Sequence, residues 1–124
     1  LYSSAASDVY KRQTSDNALD QRLKPHYYNN DYHTTQHLIT SCLNQVGFKM
    51  INVDNYYHEM LFEYKRIRVI VILNEMSLYD IRVDMKINAK YVLPLKRPIK
   101  IIAKLYEILD RKLTLKYLGG ERNE

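Results

Sequence analysis
Hydrophobic and polar positions change period several times along the chain, and each change marks an element. The most continuously apolar run is Arg68 to Asn74, read Arg-Val-Ile-Val-Ile-Leu-Asn. β-branched side chains pack well on a pleated surface, and five apolar residues are too few for an amphipathic helix, so this run predicts a strand buried on both faces. Ser77 to Asn88 alternates strictly, with Tyr79, Ile81, Val83, Met85 and Ile87 on one face and Asp80, Arg82, Asp84 and Lys86 on the other. That is a strand with one core face and one charged face. Met60, Phe62 and Tyr64 alternate with Glu59 and Glu63 in a second half-buried strand over Tyr57 to Tyr64, and Phe48 to Val53 reads as a short strand before an Asp54-Asn55 turn. Lys65-Arg66 would join two strands in a tight hairpin, although neither residue favours the positive φ such turns require.

Two stretches follow the helical period instead. Leu38, Ile39, Cys42, Leu43 and Val46 fall within about a 140° arc at roughly 100° per residue. Asp31 or a neighbouring Asn can cap that helix, and Gly47 suits its C′ position. Ile99 to Lys112 is the second helix, with Ile102, Leu105, Tyr106 and Leu109 inward and Lys100, Lys104, Glu107 and Arg111 outward. Pro98 is tolerated in its first turn. Ala89 to Arg97 is irregular or edge-like, and residues 113–118 extend the helix or form a last strand. The resulting fold class is α+β: an antiparallel three- to four-stranded meander with two amphipathic helices on one face, in the order α-β-β-β-β-α with a possible terminal strand. This helix-meander-helix order is similar to that of small secretion-chaperone-like domains, a likeness of topology that involves no residue-level motif.

The N-terminal part carries no such period. Residues 1–13 (LYSSAASDVYKRQ) closely resemble a translated sequencing-adapter segment found at the ends of unrelated metagenomic reading frames, which sets them aside as non-native. Residues 14–31 form a polar lead-in, disordered or a short helix, ending in a Pro- and Asn-punctuated loop whose tyrosines can fold back. A single α+β domain is expected over 32–118, with a tail over 119–124.

Composition narrows the chemistry. With 124 residues, 46% hydrophobic and 27% charged, the chain suits one core. Its net charge is +5, or +4 without residues 1–13 (17 basic against 13 acidic), which permits an acidic partner or nucleic acid without demanding either. One cysteine, Cys42, excludes an intramolecular disulfide and a cysteine metal cage. No run approaches the roughly 20 apolar residues of a membrane span, so no membrane association and a cytoplasmic location are expected.

Candidate sites are sparse. His33 and His37 have the i, i+4 spacing of a shared metal, but no glutamate follows His33 as in the zincin motif, and two solvated histidines are the better account of the spacing, so no metal is expected. Cys42 sits on the apolar stripe, where a thiol behaves as a small hydrophobe. Asp54 with Glu63-Tyr64-Lys65, and Asp84-Met85-Lys86, partly match the acid and (D/E)xK elements of PD-(D/E)xK nucleases, which use a divalent metal to activate water. Neither match has the proline before the first acid, and such triplets arise by chance in a chain this rich in acids and lysines. Lys90, Lys96, Arg97, Lys100 and Lys104 form a basic segment at a predicted helix start, where a phosphate would relieve cations opposed by the helix dipole. With no phosphate loop, dinucleotide fingerprint or cofactor motif, the leading expectation is a non-catalytic protein-interaction domain, adaptor or chaperone-like, with a protein partner or a second copy. Nucleic-acid binding and the nuclease are the alternatives. If only the central strand is apolar on both faces, Ile70 and Ile72 point to the face that Arg82 and Asp84 also line, which makes those four residues the expected contact site.

Overall fold
The computed structural model describes residues 9–90 and 97–121, with side chains over 12–88 and 98–121. Its elements are β1 (Val9–Gln13), a 3-10 turn (Gln21–Leu23), β2 (His26–Tyr28), α1 (Tyr32–Gln45), β3 (Lys49–Asp54), β4 (Glu59–Tyr64), β5 (Ile67–Ser77), β6 (Asp80–Lys90), α2 (Arg97–Lys112) and β7 (Leu115–Leu118). The protein is α+β, with a seven-stranded antiparallel sheet and two helices. The order across the sheet is β3-β4-β5-β6-β2-β7, with β1 also paired to β6. A meander of three or four strands thus understates the sheet, because β1 and β2 join it and the possible terminal strand over 113–118 forms as β7.

Both predicted helices form where the apolar stripes require. Asp31 caps α1 by accepting the Thr34 N–H at 3.1 Å, and Ile39, Cys42 and Leu43 are buried. Gly47 follows with φ +102°, and a Cβ there would stand 2.9 Å from the Tyr64 ring, so glycine serves both the turn and the packing. In α2, Ile102, Leu105, Tyr106 and Leu109 are buried, and Glu107 pairs with Arg111 at 3.3 Å. The helices cover one face of the sheet, meeting Met60, Phe62, Val69, Val71, Leu73, Val83, Met85 and Ile87. The hairpin of β4 and β5 does turn on Lys65-Arg66, with Lys65 held at φ 56°.

The strands the sequence did not announce share one edge of β6. β1 pairs Val9 with Lys90 through Gln13 with Lys86, and β2 pairs His26 with Val83 through Tyr28 with Ile81. Both run antiparallel to β6 on its same side, so they act as one strand interrupted by the excursion 15–25, with β7 paired outside the β2 half. Thr14 extends the first half by one residue, donating its N–H to the Met85 carbonyl at 2.9 Å and accepting the Met85 N–H on its hydroxyl at 3.0 Å. From Val9 onward, the segment set aside on sequence grounds is therefore part of the sheet, and the polar lead-in contains both a 3-10 turn and a strand. These elements escaped because β2 is three residues long and β1 shows no alternation.

β2 is fastened to α2 by buried polar groups. Tyr28 donates to Asp110 Oδ1 at 2.7 Å, and His26 Nδ1 lies 2.9 Å from the same oxygen. The His26 ring stacks on Tyr106 at 3.7 Å between centroids, and the Tyr106 hydroxyl donates to the Val83 carbonyl at 2.6 Å. Burial, reinforced in Tyr28 by Asp110 and in Tyr106 by Asp84, raises both phenols well above their ordinary value of 10.0. A raised phenol stabilises the fold fully below the unfolded pKa, and that contribution is lost as pH rises above it, because only the unfolded chain ionises readily. Stability measured by circular dichroism should accordingly fall above about pH 10, and two tyrosines should ionise only together with unfolding in the 295 nm titration. Smooth ionisation of all twelve tyrosines in a folded chain would contradict this burial.

Candidate functional site
The face of the sheet away from the helices is built by alternation. Its side chains lie in rows across β3, β4, β5 and β6. One row is Lys49, Glu63, Arg68 and Asn88; the next is Asn52, Leu61, Ile70 and Lys86; the third is Asp54, Glu59, Ile72 and Asp84. Leu61, Ile70 and Ile72 are partly exposed and adjacent, so the centre is apolar and the margins are charged. As the alternation implied, Ile70 and Ile72 share a face with Arg82 and Asp84.

That face is divided, however. Asp84 occupies the one position of β6 that lies opposite the break between β1 and β2, and it is only 7% exposed. Its two oxygens are taken by the Thr14 hydroxyl at 2.6 Å and Arg82 Nε at 2.6 Å. Arg82 Nη1 donates to Asp16 at 2.8 Å and to the Tyr27 hydroxyl at 3.3 Å. Burial disfavours the charge on Arg82, yet the Asp84 hydrogen bond and field, with Tyr27 and Asp16, leave its pKa raised. Asp16 is wedged there by the C-terminal strand: a Cβ at Gly119 would collide with Asp16 Oδ1 and the Pro25 ring, while the Gly119 N–H donates to the Pro25 carbonyl at 2.7 Å. Arg82 and Asp84 are thus internal fastenings of the excursion, and the open part of the face is narrower than the four residues expected from sequence. Leu61 and Lys86 belong to it instead. Leu61 was visible as the residue alternating with Met60 and Phe62, but its neighbours on β5 required the register.

The nuclease constellation does not assemble. Asp54 and Asp84 stand in one row but three strand spacings apart, roughly 14 Å. Glu63 lies four residues along β4 from that row, about 13 Å, and pairs with Arg68 at 3.1 Å. Lys65 sits in the hairpin turn with its ammonium 5.2 Å from the Tyr64 ring, and Lys86 projects from the apolar row. Among the described residues, no three His, Cys, Asp or Glu side chains are placed to hold a metal ion. His33 and His37 are exposed on α1, and Cys42 is buried with its thiol pKa raised by burial. Of the basic segment, Lys96 and the side chains of Lys90 and Arg97 fall outside the described residues. Lys100 and Lys104 are exposed, the latter 3.3 Å from Glu107.

Two concavities lie at the margins of the sheet, one on each side. A notch of about 600 Å³ lies beyond the end of β4, lined by Tyr32, His58, Asn74, Glu75, Met76 and Arg82, where the Tyr32 hydroxyl and His58 Nδ1 meet at 3.1 Å. On the helix side an apolar groove of about 250 Å³ runs between Phe48, Tyr64, Ile67, Ile101, Leu105 and Ile108. No described helix is long and apolar enough to cross a membrane.

Replacing Arg82 by Met should cost roughly 3 kcal/mol in urea unfolding, because Asp84 would be left as an uncompensated buried charge. Replacing Arg68, whose pair with Glu63 is largely exposed, should cost about 1 kcal/mol or less. Equal losses for the two would remove the distinction between fastening and surface. Comparison of the chain with protein-family models, with curated proteins and with solved structures gives no match.

Proposed function
We propose that this chain is a protein-interaction domain whose contact surface is the open face of the sheet around Leu61, Ile70 and Ile72. The observation that carries this reading is the one-sided placement of the helices. Three adjacent aliphatic side chains on the central strands remain partly exposed, although the sequence supplies enough apolar residues to pack the other face completely. A patch of this kind, rimmed by charged groups, fits a surface that gains by excluding water with a partner. The acids of the partial nuclease motifs are spread across the sheet, Glu63 held by Arg68, Asp84 by Arg82 and Asp54 by the N–H groups of its own turn, an arrangement that favours a contact role over metal-assisted chemistry.

A second reading rests on a separate observation. Lys65 and Arg66 lie in the β4–β5 turn beside the groove that Lys104 also lines, so cations from two elements gather where that turn meets the middle of α2. A polyanion such as nucleic acid would bind there, with an affinity that falls steeply as salt rises.

A photo-reactive phenylalanine analogue placed at Ile70 should form a discrete adduct with the partner in cell extract, and Leu61→Lys in the same chain should abolish it. The analogue at His37, on the exposed side of α1, should give none. Indistinguishable labelling from the two positions would contradict the proposal, and salt-sensitive retention of RNA or DNA that Lys65→Glu with Arg66→Glu removes would favour the second reading.

A further inference from the structure
β5 outruns its neighbour. β4 begins at Glu59, opposite Ile72, whereas β5 continues to Ser77. The last main-chain link on that side is the Leu73 N–H, which donates to the His58 carbonyl at 3.0 Å. Alternate residues of an antiparallel strand turn both main-chain groups to the same side, so Glu75, two positions on, presents its N–H and carbonyl to the notch beyond β4. Among the described residues, no strand lies there to pair with them. Met76 is the extra residue where the β5–β6 register shifts, so the regular open edge is centred on Glu75. Overhanging main-chain groups of this kind are a template for another strand.

The side chains around the notch select a basic one. Glu75 stands opposite Ile81, on the side of the sheet that the helices cover, where burial and then the Glu75 charge raise the Tyr32 phenol. The other charged residue lining the notch is Arg82, and it is already held by Asp84 and Asp16, whereas Glu75 has no ion pair among the described residues. Asp54 and Glu59 stand at the same end of the sheet, so this corner is acidic in a chain of net charge +5. Exposed Tyr56 and Tyr57 in the β3–β4 turn, and exposed Met76 and Leu78 on the β5–β6 hairpin, flank it with apolar surface.

We propose that the notch binds an extended basic segment of a partner protein, which adds a short antiparallel strand to β5 in line with β4 and sets a lysine or arginine opposite Glu75. Residues opposite one another across a ladder point to the same face, so that cation meets the Glu75 carboxylate beside the Tyr32 ring. Its two neighbours point the other way, towards Asn74 and Met76, where aliphatic side chains fit. Main-chain bonds supply the attachment and side chains the selection. With two main-chain bonds and one charge pair, the contact is weak. The site uses none of Leu61, Ile70 and Ile72, so it goes beyond the contact face proposed above and does not depend on it.

A capped peptide Thr-Val-Arg-Val-Thr, titrated into the isotope-labelled full chain at about 0.05 M salt, tests this by amide NMR shifts and amide hydrogen exchange. The Glu75 amide should shift, and its exchange should slow at saturation, while the amides of Leu61 and Ile70 stay unchanged. The same peptide with Glu in place of Arg, or with the Arg main-chain nitrogen methylated, should bind at least about fivefold more weakly, the equivalent of one charge pair or one main-chain hydrogen bond. In Glu75→Lys the preference should invert so that the Glu peptide binds the better, which also shows that the variant folds. A Glu75 amide that neither shifts nor gains protection overturns the proposal, as do Arg and Glu peptides of equal affinity. A methylated peptide or a capped single arginine that binds as tightly as the full peptide overturns strand addition. Shifts confined to Leu61, Ile70 and Ile72 would overturn it too, and would leave the contact-face reading in place.

Discussion
A carboxylate set into the middle of a sheet has to be answered by a cation, and Arg82 answers Asp84 from two residues along the same strand. The position of Asp84 makes this unavoidable. It lies where the strand formed by β1 and β2 is broken by the excursion 15–25, so no backbone covers it from that side. Thr14 closes the break from one flank, and Arg82 closes it from the other while reaching on to Asp16. The same guanidinium thus orders the excursion, orients Tyr27 and fixes the surface on which β7 packs. Removing one partner would leave a buried charge, a penalty of several kcal/mol that exceeds what any single exposed pair on this molecule contributes.

That fastening also shapes the open face. Asp16 and Tyr27 occupy its β2 end, which leaves the middle of β4, β5 and β6 uncovered. Helices α1 and α2 cannot reach it, because their stripes are already spent on the opposite face, where Val69, Val71, Met85 and Ile87 are fully buried.

Much of this was legible in the residues. The apolar arc of α1, the stripe of α2 and the alternation of Ile81, Val83, Met85 and Ile87 each announce their elements, and Gly47 marks a helix end that the backbone confirms with a positive φ. The placement of Ile70 and Ile72 with Arg82 and Asp84 on one face followed from period alone. What escaped depended on distant pairing. β1 and β2 are recruited by β6, and nothing local in Val9–Gln13 or His26–Tyr28 alternates. The burial of Asp84 and Arg82 arises from Thr14 and Asp16, about seventy positions away in the chain. His26, Tyr28 and Asp110 meet for the same reason, so their cluster has no signature in spacing.

The central claim is that the apolar face bearing Ile70 and Ile72 lies open to solvent, uncovered by either helix. Isoleucine-methyl NMR of the purified protein with a soluble nitroxide reads this directly. The methyl signals of Ile70 and Ile72 should broaden as nitroxide is added while those of Ile39 and Ile102, buried beneath the helices, stay sharp. Signals from Ile70 and Ile72 that broaden no more than those of the buried pair would contradict the account.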